Sequence, residues 1–191
     1  MAAFSLIELV FAVGLAATIG AAAVPQLLTS VDDVRAASAA RYIAARLQLA
    51  RMEAIGRGRS VALRFVRSGT SFTFAAYVDG NLDGVRSRDI QDGIDWPLQS
   101  SERLSDRFPG VDFGAVSGLP PADPTGTPPG ADPIRLGSSD MASFSPLGTS
   151  TTGSLYLRGR RDAQYAVRIF GETGKVRTLK YNSRSAEWKP L

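Results

Sequence analysis

The longest apolar run of the chain lies near its N-terminus and carries no charge from Leu9 to Val31. A helix rises 1.5 Å per residue, so a run of this length can cross a hydrocarbon layer about 30 Å thick. A core helix would normally carry a polar stripe, and this run has none. The pattern predicts a transmembrane helix over residues 4–31. A fully buried globular helix is one alternative, and a secretory signal cleaved after Ala21-Ala22-Ala23 is another.

The helical pattern continues through residues 32–57, where two apolar seams follow the spacing of a helix. The first seam comprises Ala36, Ala40, Ile43, Leu47, Ala50 and Ala54, and the second, on the opposite side, comprises Tyr42, Ala45, Leu49 and Met52. Two apolar faces predict two partners, the chain's own globular domain and a neighbouring subunit. The alternative is a helix buried between two layers of one domain. Gly56 and Gly58 are expected to end the helix.

Residues 58–191 show the alternation of a globular antiparallel β domain. Predicted strands are Ser60–Arg67 and Ser71–Val78, joined as a hairpin through residues 68–70, then short strands near 111–113, 134–136, 142–144 and 154–157, and a hairpin of Gln164–Phe170 and Lys175–Tyr181. Trp96 is the one plausible buried anchor in the polar stretch from Asp79 to Pro109. The Pro/Gly-rich segment 119–133 is expected to be a surface loop. The predicted fold class is α+β: a long N-terminal helix, with a transmembrane half and an amphipathic half, packed on a C-terminal antiparallel β-sheet.

The composition removes most catalytic and metal chemistry. The chain has neither Cys nor His, which excludes disulfides, thiolate metal sites, histidine-based triads and most zinc sites. No other residue set supports catalysis, so we expect a protein that is not an enzyme.

One segment has the spacing of a calcium loop. Asp79, Asn81 and Asp83 place oxygen ligands at positions 1, 3 and 5, with Gly84 at position 6. Position 12 is Ile90, where a calcium loop has a bidentate Glu. Calcium is the only cofactor that the sequence suggests, and the alternative is an ordinary turn rich in Asp, Asn and Gly.

Glu8 stands at the head of the apolar run, where a carboxylate is costly without a partner. The segment Phe4-Ser5-Leu6-Ile7-Glu8-Leu9 resembles the start of mature type IV pilins and type II secretion pseudopilins. In that family a prepilin peptidase removes a leader, which would be residues 1–3 here, cutting between Ala3 and Phe4 and methylating the new amine. Ala3 stands where the family normally has Gly. The resemblance implies that the Phe4 amine of one subunit neutralises Glu8 of its neighbour, so that the charge is satisfied on assembly.

Three further segments resemble the GspH/FimT branch of this family: ARLQLARMEAI followed at once by a strand, Phe144-Ser145-Pro146-Leu147-Gly148, and a last hairpin with Gly-Lys-Val-Arg. The resemblance implies a minor pseudopilin, a structural subunit of a type II secretion pseudopilus or a type IV pilus-like filament. It implies a single-pass protein of the bacterial inner membrane with its globular domain in the periplasm. The implied partners are other pilins, through the N-terminal helix, the prepilin peptidase and the inner-membrane assembly platform.

The C-terminal part of the chain is basic. Residues 158–184 carry a net charge of +6, whereas the rest of the chain sums to −2. The candidate phosphate-binding residues are Arg158, Arg160, Arg161, Lys175, Arg177 and Lys180, with Tyr165, Tyr181 and Trp188 interleaved. FimT-like pilins bind DNA through a Gly-Arg-x-Arg motif, and Gly174-Lys175-Val176-Arg177 is similar. A FimT-like minor pilin that binds DNA during uptake is therefore the alternative function. A solvated face or a subunit contact is the other interpretation of these charges.

Overall fold

The computed structural model describes residues 5–191, without the side chains of Ala22 and Pro25. One helix, α1 (Leu6–Arg57), dominates the architecture. It ends at Gly58, which has the left-handed conformation, φ 63°, that glycine adopts without steric cost. Gly58 is therefore confirmed as the terminator. Gly56 was wrongly expected to share this role, because it lies in the last helical turn.

The first half of α1 is long and apolar enough to cross a membrane, and none of its most apolar stretch is buried within the protein. This contradicts the alternative of a buried globular helix. The second half has one covered face, because every residue of the first predicted seam is buried. On the opposite face the side chains of Leu49 and Met52 are 47% and 69% exposed. The alternative of a helix covered on both sides is therefore wrong.

The strands form two antiparallel sheets, where the sequence had suggested one. The strands of the first sheet are β1 (Val61–Ser68), β2 (Ser71–Val78), β3 (Trp96–Pro97), β4 (Glu102–Arg103) and β7 (Met141–Phe144). Their order in the sheet is β3-β2-β1-β7, and β4 also pairs with β2. The short helices α2 (Ser87–Gln91) and α3 (Leu104–Arg107) lie in its connections. The predicted first hairpin is confirmed, with Leu63 opposite Ala76.

The strands of the second sheet are β5 (Asp112–Phe113), β6 (Ile134–Arg135), β8 (Gly153–Arg158), β9 (Gln164–Phe170), β10 (Lys175–Asn182) and β11 (Glu187–Pro190). Their order in the sheet is β11-β10-β9-β8-β5, and β6 also pairs with β8. The main core lies between the first seam of α1 and both sheets. The α+β class is confirmed: one long helix packed on antiparallel sheet.

The segment 119–133 has no regular structure, as predicted, but part of it is not a surface loop. Leu119 and Ala122 are buried on the outer face of the second sheet, in a small cluster with Tyr156. The backbone N–H of Ala122 donates to the Tyr156 hydroxyl at 2.8 Å. The Trp188 indole N–H donates to the carbonyl of Pro120 at 3.1 Å. The loop therefore covers apolar surface that α1 does not reach.

The prediction that Trp96 is a buried anchor is wrong. Its side chain is 44% exposed, on a two-residue strand at the edge of the first sheet. The apolar residue that fills the core from this region is Leu104, which is 1% exposed.

Candidate functional site

Glu8 lies in the first turn of α1 and forms a capping box with Ser5. The Ser5 backbone N–H donates to Glu8 Oε2 at 3.1 Å, and the Glu8 N–H donates to the Ser5 hydroxyl at 3.3 Å. Ala3 and Phe4, predicted to form the cleavage point and the partner amine, lie outside the described residues. The Ser-x-x-Glu spacing is a sequence signal for this cap that the sequence analysis did not use. The cap fixes the carboxylate at the positive end of the helix dipole, where a negative charge is favoured.

The junction between the apolar run and the globular domain is held by two adjacent carboxylates. Asp32 is buried, and it accepts hydrogen bonds from the backbone N–H groups of Arg160 at 2.9 Å and Arg161 at 2.7 Å. Asp33 accepts from the Tyr165 hydroxyl at 2.8 Å and from Lys180 Nζ at 2.6 Å. Burial and the bond to Asp33 together raise the pKa of the Tyr165 hydroxyl well above its ordinary value. The second sheet is thereby fastened to the helix at the first polar residues after the run.

The predicted basic surface is divided between the two ends of the second sheet. Arg160, Arg161 and Lys180 contact residues 32–33, and Arg158, at the same end of the sheet, pairs with Asp162 at 2.5 Å. Lys175 and Arg177 lie at the start of β10, beside the turn 171–174. Lys175 and Lys180 are five residues apart on one strand, or about 17 Å. The six candidate residues therefore do not form one continuous surface.

The aromatic residues predicted to accompany these charges are not open to a nucleic acid. Tyr165 is 1% exposed in the main core. Tyr181 and Trp188 pack on each other with ring centroids 5.3 Å apart, and both lie against the small cluster under the loop. Arg168 and Arg177 instead lie over Phe170, at 4.6 Å and 5.6 Å from its ring centroid. This pair was not predicted from the sequence, although alternate residues of neighbouring strands face the same side.

The candidate calcium loop has the geometry of a turn. Asp79 accepts hydrogen bonds from the backbone N–H groups of Asn81, Leu82 and Gly84. These bonds occupy both of its carboxylate oxygens. Asp83 instead forms an ion pair with Arg86 at 2.8 Å. Within residues 5–191 no three Asp, Glu, His or Cys side chains come together as metal ligands. The arrangement fits the alternative of an ordinary turn.

A polar cluster that the sequence analysis did not predict joins α1 to β4. Glu102 accepts a 2.5 Å hydrogen bond from the Tyr42 hydroxyl and pairs with Arg46 at 2.6 Å. The Arg107 guanidinium lies over the Tyr42 ring, 4.7 Å from its centroid. Burial opposes ionisation of Glu102, but the bonds from Tyr42 and Arg46 outweigh it and lower the pKa of the Glu102 carboxyl. Tyr42, placed in the outer seam, is thus held mainly by its own domain.

A helix with an unburied apolar half, continued by a half that packs on antiparallel sheet, defines a type IV pilin-like protein. The chain matches the family model of the type II transport protein GspH over residues 39–173, which are 135 of its 191 residues. The chain therefore belongs to the GspH family.

Two solved structures are similar to the chain, and both are of the minor pseudopilin EpsH of the Vibrio cholerae type 2 secretion system. One is 18% identical, covering 76% of this chain and 97% of EpsH with a TM-score of 0.47. The other is 16% identical, covering 76% of this chain and 94% of EpsH with a TM-score of 0.45. No curated protein matches the chain.

Proposed function

We propose that this protein is a minor pseudopilin: a structural, non-catalytic subunit of a type II secretion pseudopilus. It is anchored in the bacterial inner membrane by the first half of α1, with its globular domain in the periplasm. The observation that carries the proposal is the asymmetry of α1. The most apolar stretch of its first half is not buried against the rest of the described chain, and its second half packs on its own domain by one face only. A monomer in water would leave both apolar parts of this helix exposed, whereas a filament built on packed helices would bury them.

The outer face of α1 supplies the side-by-side contact in this proposal. Leu49, Met52 and Ile55 expose about half or more of their side chains along it. Leu147, in the turn after β7, is 92% exposed, and its neighbour Gly148 lies close to Ile55. Exposed apolar groups that form one patch are typical of surfaces that become buried on association.

The charge of Glu8 gives the assembly step its selectivity. A carboxylate in the hydrocarbon layer needs a counter-charge. The proposed partner is the amine of Phe4 on the neighbouring subunit, formed by cleavage after Ala3. Since the capping box occupies only one of the Glu8 oxygens among the described contacts, the carboxylate retains acceptor capacity for that amine.

Mass spectrometry of the membrane-bound form tests the processing step. We expect a chain that begins at Phe4 and carries one added methyl group. A chain that begins at Val24 would instead establish the secretory-signal alternative and remove the anchor on which the proposed function depends.

DNA binding remains a second proposed function, in a narrower form. Its support is the pair Lys175 and Arg177, which are exposed at the turn 171–174, with Arg168 beside Arg177 on Phe170. The remaining predicted residues lie at the opposite end of the sheet.

A further inference from the structure

The membrane-proximal end of the second sheet has a fixed position relative to the apolar run. Residues 159–163 connect β8 to β9, and Asp32 binds the backbone of two of them, Arg160 and Arg161. Asp32 directly follows Val31, the last residue of the uncharged run. The headgroup layer extends roughly 6 Å beyond the hydrocarbon on each side of a bilayer. Once α1 spans a membrane, this connection therefore lies at the depth of the lipid headgroups.

The turn between β10 and β11 lies at the same end. Lys180 of β10 is bound to Asp33, and the strand continues away from the distal turn to Asn182, which pairs with Glu187. Residues 183–186 therefore extend beyond the junction, towards the membrane. Arg184 is exposed within this turn.

The side chains at this end are predominantly basic. They comprise Arg158, Arg160, Arg161, Lys180 and Arg184, together with Arg35 on the exposed side of α1. The Arg161 guanidinium donates to the Thr29 hydroxyl at 3.4 Å, three residues inside the uncharged run. Long basic side chains at the end of a span place their apolar stems along hydrocarbon and their charges among headgroups.

Three of the acidic residues nearby are already engaged, whereas Glu187, opposite Asn182 beside the turn, is exposed. Asp32 accepts two backbone N–H groups, Asp33 binds Lys180 and Tyr165, and Asp162 pairs with Arg158. Arg160 and Arg184 have no carboxylate within ion-pair distance among residues 5–191. Their charges therefore point to an anionic group outside the protein.

We propose that this end of the sheet, centred on Arg160 and Arg184, binds the phosphates of anionic lipids in the leaflet from which the globular domain emerges. The contact would hold the domain upright on the membrane before the subunit is extracted into a filament. The inference rests on the membrane anchorage of the proposed function. Duplex DNA offers phosphates too, but a bilayer around α1 occupies the space beside this end and presents its phosphates at the right depth.

The experiment uses the full chain in lipid nanodiscs. Since the chain has no Cys, Ser183→Cys provides a single labelling site in the β10–β11 turn. Two samples of phosphatidylcholine nanodiscs are prepared. In one, a small fraction of the lipid is phosphatidylglycerol with a quencher on its headgroup. In the other, the same fraction is phosphatidylcholine with that quencher. The ratio of the two quenching efficiencies then measures lipid selectivity around the turn. We expect labelled phosphatidylglycerol to be favoured about threefold or more at low salt, with the preference lost at high salt.

The control variants separate this end from the rest of the sheet. Arg160→Gln with Arg184→Gln should bring the ratio close to one. Lys175→Gln with Arg177→Gln removes the same charge from the distal turn and should leave it unchanged. Arg160→Lys with Arg184→Lys keeps the charge and should keep the preference, which separates a loss of charge from a loss of folding. A label at Leu147→Cys, at the far end of the domain, should report no preference.

Three results would overturn the proposal. The first is equal quenching by both lipids in the unmodified chain. The second is an equal loss of preference from the two Gln pairs. The third is displacement of the labelled phosphatidylglycerol by duplex DNA at low salt, which would assign this end to nucleic acid. A chain that fails to enter nanodiscs at all would instead refute the membrane anchor of the proposed function, and a fractionation of the sample distinguishes that failure from the other three.

Discussion

The Asp32 carboxylate accepts a 2.7 Å hydrogen bond from the backbone N–H of Arg161, across 129 positions of sequence. The N–H of Arg160 binds the other oxygen at 2.9 Å. Gly159 completes this contact, because a Cβ there would lie 2.8 Å from Asp32 Oδ2. The connection between β8 and β9 is thereby tied to the helix at the point where the apolar run ends. A pull on the helix would be transmitted to the sheet at this contact.

This contact predicts a stability effect that depends on Asp32 and not on the arginine side chains. Asp32→Ala removes the buried carboxylate that accepts two charge-assisted hydrogen bonds from backbone N–H groups, and it should lower the free energy of unfolding by about 2–4 kcal/mol. Chemical unfolding of the full chain in detergent measures it. Arg160→Ala is the control and should cost about 0.5 kcal/mol or less, because its backbone N–H remains. Equal effects of the two substitutions would contradict the backbone lock.

Leu47 and Leu49 give a matched test of the two faces of α1. Leu47 is fully buried against the domain, whereas Leu49 is 47% exposed. Leu47→Ala should lower the free energy of unfolding by about 2–4 kcal/mol. Leu49→Ala should change it by less than about 1 kcal/mol and should instead reduce incorporation into filaments. A stable Leu47→Ala variant, or full incorporation of Leu49→Ala, would mean that the faces are wrongly assigned.

Local periodicity explains what the sequence predicted well. The alternation of Val61, Leu63 and Phe65 defines one buried strand face, and Ser68-Gly69-Thr70 marks the turn to β2. The first seam of α1 follows equally from spacing, because a 3.6-residue period repeats over five turns. Gly58 ends the helix for a local reason as well, since it alone there adopts positive φ.

The errors concern relations between distant segments. Which strands share a sheet depends on pairing across loops, and no local pattern separates β7 from β8 into different sheets. The basic residues are close in sequence, but an extended strand separates Lys175 from Lys180, so the hairpin spreads charges that the sequence places together. The partners of Asp32 lie far away in the chain, and neither Asp32 nor Asp33 was predicted to have a role.

The Glu102 cluster predicts a pH dependence of stability. The pKa of Glu102 is lowered in the folded protein. Its stabilising contribution is therefore complete above the unfolded-state pKa of about 4.3 and is lost as the pH falls through the lower folded value. Glu102→Gln should cost about 1–3 kcal/mol at pH 7, and the difference from the unmodified chain should shrink below about pH 4.

The control for this prediction is Glu172→Gln, an exposed glutamate in the turn 171–174. It should have little effect at any pH. The charged groups that face Glu102 are the guanidinium groups of Arg46 and Arg107. A penalty for Glu102→Gln that is the same at pH 3 and pH 7 would show that shape, and not charge, holds the cluster together.

The DNA hypothesis predicts binding through phosphates at the distal turn. Retardation of duplex DNA by the full chain in detergent should fall steeply with salt and depend little on base sequence. Lys175→Gln with Arg177→Gln should weaken it, whereas Arg160→Gln with Arg184→Gln should not. A gel-shift titration at two salt concentrations is sufficient. The absence of retardation at low salt would remove DNA binding as a function and leave this basic turn as a subunit contact or a solvated surface.

The central claim is that the chain is a subunit whose entry into a filament depends on the charge of Glu8. The most direct test measures the abundance of the chain in the sheared filament fraction of cells that carry the matching secretion system. The unmodified chain is compared with two variants. Glu8→Gln removes the charge but can retain the capping hydrogen bonds with Ser5, and Ser5→Ala removes the cap but retains the charge. All three forms should reach the membrane in similar amounts. The account predicts a loss of about tenfold or more from the filament fraction for Glu8→Gln, since an unpaired ammonium in hydrocarbon is strongly disfavoured, and nearly normal incorporation for Ser5→Ala. Equal incorporation of Glu8→Gln and the unmodified chain would contradict the charge pairing. An unmodified chain that inserts in the membrane but never enters filaments would contradict the function itself.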